Sequence, residues 1–157
     1  MLKTMLAACA VVAVVAAGGA AAAKPLPAGG LTAREVAAWM NDNGYTAKVV
    51  KQDDGEYVDA SAEGLNFSVD MYDCDKARCR AVQFTVSFEK GKDTPTVRQM
   101  NAWNASKRYL KGYVSNDGEA VFQFDANIDP GGTWEALQDD LDVFVGFLAD
   151  VKTFVKW

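Results

Sequence analysis

The stretch FSVDMYDCDKARCRAVQFTV, residues 67–86, limits the possible folds more than any other part of this chain. Leu65, Phe67, Val69 and Met71 alternate with polar neighbours, and so do Val82, Phe84, Val86 and Phe88. Period-two alternation is the signature of a strand with one buried face. If the runs are joined by Asp75-Lys76-Ala77-Arg78 with Cys74 opposite Cys79, Met71 falls opposite Val82 and Val69 opposite Phe84. Phe67 then meets Val86, and Leu65 meets Phe88. All four pairs are apolar on one face, and both cysteines point to the other. A slip of one residue would destroy that match. Strand pattern and cysteine spacing therefore predict one hairpin closed by a Cys74–Cys79 disulfide.

Other uses of these thiols fit the sequence poorly. The chain has three cysteines and no histidine, whereas a structural zinc site needs four Cys or His ligands. A thioredoxin-like switch wants C-x-x-C in a βαβ setting. The loop closed by the disulfide is short, so the bond contributes only about 2 kcal/mol and clips one hairpin.

The third cysteine, Cys9, lies in a different kind of segment. Lys3 precedes the apolar run Met5–Ala17, and GGAAAAKP supplies small residues just before Lys24. Basic start, apolar middle and small-residue exit describe a secretory signal peptide over residues 1–23. The rival is a lipoprotein leader with Leu6-Ala7-Ala8-Cys9 as lipobox, but there the hydrophobic run precedes the cysteine, and here it mostly follows. The run is also shorter than the roughly 20 residues that span a bilayer. The expected location is periplasmic or secreted, where an even pair of cysteines oxidises. Residues 24–30 (KPLPAGG) read as a linker and residues 31–157 as a single domain.

Without the leader the chain carries 15 Lys+Arg against 21 Asp+Glu, net −6. That balance disfavours nucleic acid and anionic membrane surfaces as partners. Four Trp and eight Phe suffice for an ordinary core.

Within the domain, LTAREVAAWMNDNGY reads as a helix. Thr32 and Glu35 form its capping box, Leu31 and Val36 its hydrophobic staple, and Gly44 its end. Val36, Trp39 and Met40 are its buried stripe. YTAKVVKQ and EYVDASA are strands joined through Asp54-Gly55, and the disulfide hairpin follows. TPTVRQMNAWNASKR is a second helix, with Thr94 as N-cap and Pro95 in the first turn. YLKGYV and AVFQFDANI form a hairpin over the three-residue loop Asn116-Asp117-Gly118, which aligns Gly112 with Phe122 and Leu110 with Phe124. The last helix, about Thr133 to Val155, has an apolar stripe of Trp134, Leu137, Leu141, Phe144, Leu148, Val151 and Val155. Phe147, Phe154 and Trp157 widen it. The order α-β-β-β-β-α-β-β-α predicts an α+β domain, an antiparallel sheet flanked by helices.

Chemistry-bearing constellations are few. Without histidine there is no Ser-His or Cys-His pair and no imidazole base. Carboxylate pairs of the glycosidase kind converge in space and leave no sequence signature. The acidic residues mostly sit at turns and helix starts, so no enzyme and no cofactor is expected. Asp125, Asn127 and Asp129 alternate like the first ligands of a calcium loop. Pro130 and Ala136 occupy the positions where such a loop needs glycine and glutamate, so the outward face of a strand is the competing reading. In NAWN, Asn101 and Asn104 share a helix face with Val97 and Met100. Either the two amides bond unpaired backbone nearby, or Asn101, Trp103 and Asn104 border a small recognition pocket.

Several of these pieces occur together elsewhere. LTAREVAAWMNDNGY, GLNFSVDMYDC with CRAVQF, MNAWN with RY, and FDANID before GG resemble, in the same order, the YbjN-domain family of bacterial proteins over residues 31–155. The resemblance implies a fold similar to type III secretion chaperones, a twisted antiparallel sheet with helices, and a label of sensory-transduction regulator. It implies no catalytic residues and no cofactor. The leader and the Cys74–Cys79 pair set this chain apart from cytosolic members. Together the readings lead to an exported, non-enzymatic module that binds a protein or peptide, chaperone- or adaptor-like in envelope signalling or stress regulation. Its last helix is a candidate homodimer face. A small-molecule or calcium binder is the alternative.

Overall fold

The computed structural model describes residues 22–53 and 55–157. The proposed leader, including Cys9 and the lipobox alternative, lies outside the described residues. The elements are α1 (Ala33–Asp42), β1 (Thr46–Gln52), β2 (Gly55–Ala62), β3 (Leu65–Asp75), β4 (Arg78–Phe88), α2 (Val97–Ser106), β5 (Lys111–Val114), β6 (Ala120–Asn127) and α3 (Trp134–Val155). This is the order expected from the sequence. The strands form one antiparallel sheet, β1-β2-β3-β4-β6-β5, in which β6 reaches past β5 to pair with β4.

The disulfide hairpin has the register that its alternation requires: Val69 opposite Phe84, Met71 opposite Val82 and Cys74 opposite Cys79, with the two cysteines bonded. Pairing continues to Asp75 and Arg78, so the connection is Lys76-Ala77 alone, tighter than the four-residue join. Lys76 has φ 59° there. The β5–β6 hairpin also follows its expected register, with Gly112 opposite Phe122 around a three-residue loop in which Gly118 has φ 87°. In the first hairpin Gln52 pairs with Gly55, so the glycine opens β2 and does not sit in the turn. Asp54 lies outside the described residues.

Helix α2 starts two residues later than expected. Thr96, not Thr94, is the N-cap, and its hydroxyl and the Gln99 side chain form a reciprocal capping box. The Thr94 hydroxyl instead accepts from the Gly91 N–H. Pro95 biases Thr94 towards extended backbone, while Thr96-x-x-Gln99 satisfies two orphan donors at once.

All three helices cover one sheet face. Leu65, Phe67, Val69, Val82, Phe84, Val86, Phe122 and Phe124 meet the α3 stripe Leu137, Leu141, Phe144, Leu148, Val151 and Val155 in a single core. Phe144 is central, with its ring 5.1 Å from Phe67 and 5.5 Å from Phe84. The opposite face is polar. Ser68 donates to Asp70, Thr85 to Asp70, Gln83 to Asp125 and Lys111 to Asp125.

Residues 24–30 are stitched into the domain. Trp134 N–H donates to the Lys24 carbonyl, and Leu26 N–H to that of Gly132. Leu31 exchanges two backbone hydrogen bonds with Cys79, at 2.8 and 3.0 Å. At the hairpin tip Arg78 reaches back to the Gly30 carbonyl and takes both carboxylate oxygens of Glu35, at 2.9 and 3.1 Å. The clip and the start of α1 are thus one structural unit.

Candidate functional site

The two NAWN amides have different surroundings. The Asn104 side chain accepts from Gly112 N–H at 2.7 Å and donates to Gly112 C=O at 2.9 Å, pairing like one more strand residue on the outer edge of β5. Trp103 is buried and donates its indole N–H to the Leu110 carbonyl. Asn101 is exposed, and Val97 is 65% exposed, so α2 buries Met100 and Trp103 rather than a Val97–Asn101 face. Asn41 of α1 makes the same clip on the opposite edge, bonding both the N–H and the C=O of Ala47 on β1. Each outer strand is thus fastened to its neighbouring helix by one asparagine. Asn104→Ala is expected to cost about 1 kcal/mol and to speed hydrogen exchange of the Gly112 amide. Asn101→Ala should stay within about 0.5 kcal/mol. Urea melts and amide exchange check the pair.

The possible calcium ligands face different cations. Asp125 accepts from Lys111 at 2.9 Å and from Gln83. Burial works against its charged form, but these two donors outweigh it and hold its pKa below the usual value. Asp129 faces Arg80 at 3.8 Å and accepts from Gly29 N–H. Among the described residues no three or more His, Cys, Asp or Glu side chains gather as a metal centre would require.

Part of the apolar excess on the last helix packs against Trp103 of α2 and against Lys107 just beyond it. Phe154 packs 5.0 Å from Trp103, and the Lys107 ammonium lies over the Trp103 and Phe147 rings. Trp157 remains 74% exposed, set edge-on against Phe88.

A recess with a volume of about 680 Å³ is lined by residues of α1 and α3. The Trp39 and Trp134 rings stand 5.9 Å apart within it. Trp39 is placed by the buried stripe of α1, and Trp134 is the first residue of α3, after the Thr133 cap. Glu35, Asp42, Glu135, Asp139 and Asp142 line the recess with the indoles, and Lys24 is a cation in the same lining. Two of the carboxylates are committed. Glu35 takes Arg78 and Thr32; burial opposes its charge, but these partners prevail and lower its pKa. Glu135 takes the backbone N–H of Lys24, which holds its pKa down.

Asp42 and Asp139 form no ion pair among the described residues. Asp42 stands in the last turn of α1, where the helix dipole favours a cation, and that turn has no basic residue. Gln138 donates to Asp142 at 2.7 Å, and its Oε1 is buried with no hydrogen-bond partner among the described residues. A buried acceptor left unpaired costs about 1–3 kcal/mol. Tyr45 also donates to Asp142, and burial followed by that carboxylate raises the phenol pKa. The recess is therefore predominantly acidic, five carboxylates to the one Lys24, beside two indoles. Sequence reading missed this site because its walls come from helices about 95 residues apart. The available signal was an aspartate at the wrong end of α1.

A six-stranded antiparallel α+β domain with an acidic, tryptophan-lined recess between its first and last helices is the class of protein these observations define. The chain belongs to the YbjN family, whose model, described as "Putative bacterial sensory transduction regulator", matches residues 32–154. The fold is similar to that of the crystal structure of YbjN from E. coli, titled a putative transcription regulator, with a TM-score of 0.54 and 16% identity. That match covers 76% of this chain and 93% of the other. At that identity the likeness speaks for the fold alone. No curated protein matches the chain.

Proposed function

We propose that this protein is an exported, non-enzymatic binding module whose α1–α3 recess takes a basic peptide segment, an arginine or lysine flanked by apolar residues, from a protein partner. The observation that carries the reading is the two carboxylates of Asp42 and Asp139, which have no ion-pair partner among the described residues and line the recess with the Trp39–Trp134 pair. A guanidinium supplies what that set lacks. It donates N–H groups in a plane, neutralises carboxylates and stacks on indole faces, the last worth about 0.5–2 kcal/mol. Strand addition is a less suitable mode, because Asn41 and Asn104 already occupy part of each sheet edge. A regulator-type family label agrees with recognition rather than turnover. The calcium alternative on Asp125, Asn127 and Asp129 lacks a comparable unsatisfied group.

Titration of the chain from Lys24 onward with a capped Leu-Arg-Leu-Arg tetrapeptide, followed by calorimetry, tests this. Binding is expected with Kd on the order of tens of micromolar, weakening as salt rises. A peptide with Glu for Arg should not bind. Asp42→Asn with Asp139→Asn should weaken binding roughly tenfold, since each 1.4 kcal/mol is a factor of ten. Equal affinity for both peptides would defeat the reading. A free guanidinium compound binding as well as the peptide would transfer the recess to small-molecule recognition.

A further inference from the structure

The backbone nitrogen of Lys24 lies 3.0 and 2.9 Å from the two carboxylate oxygens of Glu135. A peptide N–H has one hydrogen and must divide it between them. An ammonium has three, can give one to each oxygen, and adds a full positive charge. Ala22 and Ala23 are exposed, and among the described residues the hydrogen bonds that fasten this end to the domain begin at Lys24. Its carbonyl accepts from Trp134 N–H, Pro25 bridges Thr133, and Leu26 N–H donates to Gly132. Gly132 permits that approach, because a Cβ there would stand 3.0 Å from Leu26 Cδ1. Ala21-Ala22-Ala23 immediately precedes this point, with small residues first and third before the bond, as leader peptidases require.

We infer that the chain is cut between Ala23 and Lys24, and that Glu135 is the receptor for the α-ammonium so formed, seating the new terminus at the start of α3. This rests on the export reading of residues 1–23. The step is a hydrolysis by a leader peptidase. Water adds across the Ala23–Lys24 peptide bond, the carboxylate remains on Ala23, and the amine on Lys24 takes up a proton. Glu135 thereby changes from the acceptor of a single shared hydrogen to half of a two-point ion pair. The lowered pKa of its carboxyl, set first by the Lys24 backbone donor, agrees with a group kept charged for that purpose.

The test has two parts. First, the full chain with a C-terminal tag is recovered from the bacterial envelope and weighed intact. A mass starting at Lys24 is expected. A mass starting elsewhere overturns this inference alone, and a retained leader overturns the export reading with it. Second, two purified chains, one starting at Lys24 and one keeping Ala22 and Ala23 acetylated, are each compared with their Glu135→Gln variants by thermal melting. Loss of about 2–4 °C is expected in the Lys24-start chain, with a clearly smaller loss in the extended one. Equal losses in both would make Glu135 an ordinary backbone acceptor and overturn the assignment.

Discussion

Gly30→Ala is expected to destabilise the domain by at least about 3 kcal/mol, read as a lowered urea midpoint with an unchanged slope. Gly30 has φ 90°, which costs an L-residue roughly 1–2 kcal/mol. A Cβ placed there would also stand 1.9 Å from the Cys79 carbonyl oxygen. That oxygen cannot move away cheaply, because it accepts the Leu31 N–H, and Cys79 is tied to Cys74. Relief would require pulling the start of α1 off the disulfide hairpin. Gly29→Ala is the control. Its φ of 83° is equally unfavourable, but the nearest atom to its Cβ would be Arg78 Cδ at 3.8 Å. That variant should lose only the backbone strain, about 1–2 kcal/mol. Similar losses for both would mean that the α1–hairpin junction yields easily.

Phe144→Ala should remove about 3–5 kcal/mol, a large share of the 5–15 kcal/mol that holds a typical domain. Its ring is fully buried from α3 between Phe67 of β3 and Phe84 of β4. Truncation leaves a cavity lined by rigid aromatics on a sheet that cannot collapse to fill it. Phe144→Leu keeps most of the volume and should cost less than half as much. Phe147, three residues on, is half-buried and flanked by Lys107. Phe147→Ala should therefore cost clearly less than Phe144→Ala. Chemical melts of the three variants would show whether the helical stripe is assigned to the correct face.

The parts legible in the sequence are those where two independent constraints coincide. The β3–β4 register followed from period-two alternation together with the Cys74–Cys79 spacing. The α3 stripe followed from seven apolar positions at helical intervals. Where one signal stood alone, local chemistry decided differently. Pro95 suggested Thr94 as the cap of α2, but the Thr96–Gln99 box satisfies more donors. Gly29-Gly30 looked like linker, since its need for glycine lies in the Cys79 carbonyl across the fold. Asn104 could be read as a latch or as a pocket wall until its partner, the Gly112 backbone, was in view. The recess was not legible as a set. Trp39 belongs to the buried stripe of α1, and Trp134 to the start of α3. Only the fold brings them to a common space with Asp42, Gln138 and Asp139.

If the recess between α1 and α3 takes the basic peptide proposed above, its tryptophans will report the binding. The four tryptophans of the chain can be followed separately by nitrogen-15 NMR. Trp39 and Trp134 line the recess, Trp103 sits in the core under α2, and Trp157 is exposed at the far end of α3. On titration with the arginine-containing peptide, the indole N–H signals of Trp39 and Trp134 should move together and saturate. Those of Trp103 and Trp157 should hold still. Movement confined to Trp157, or no indole movement at peptide concentrations that bind, would contradict the account.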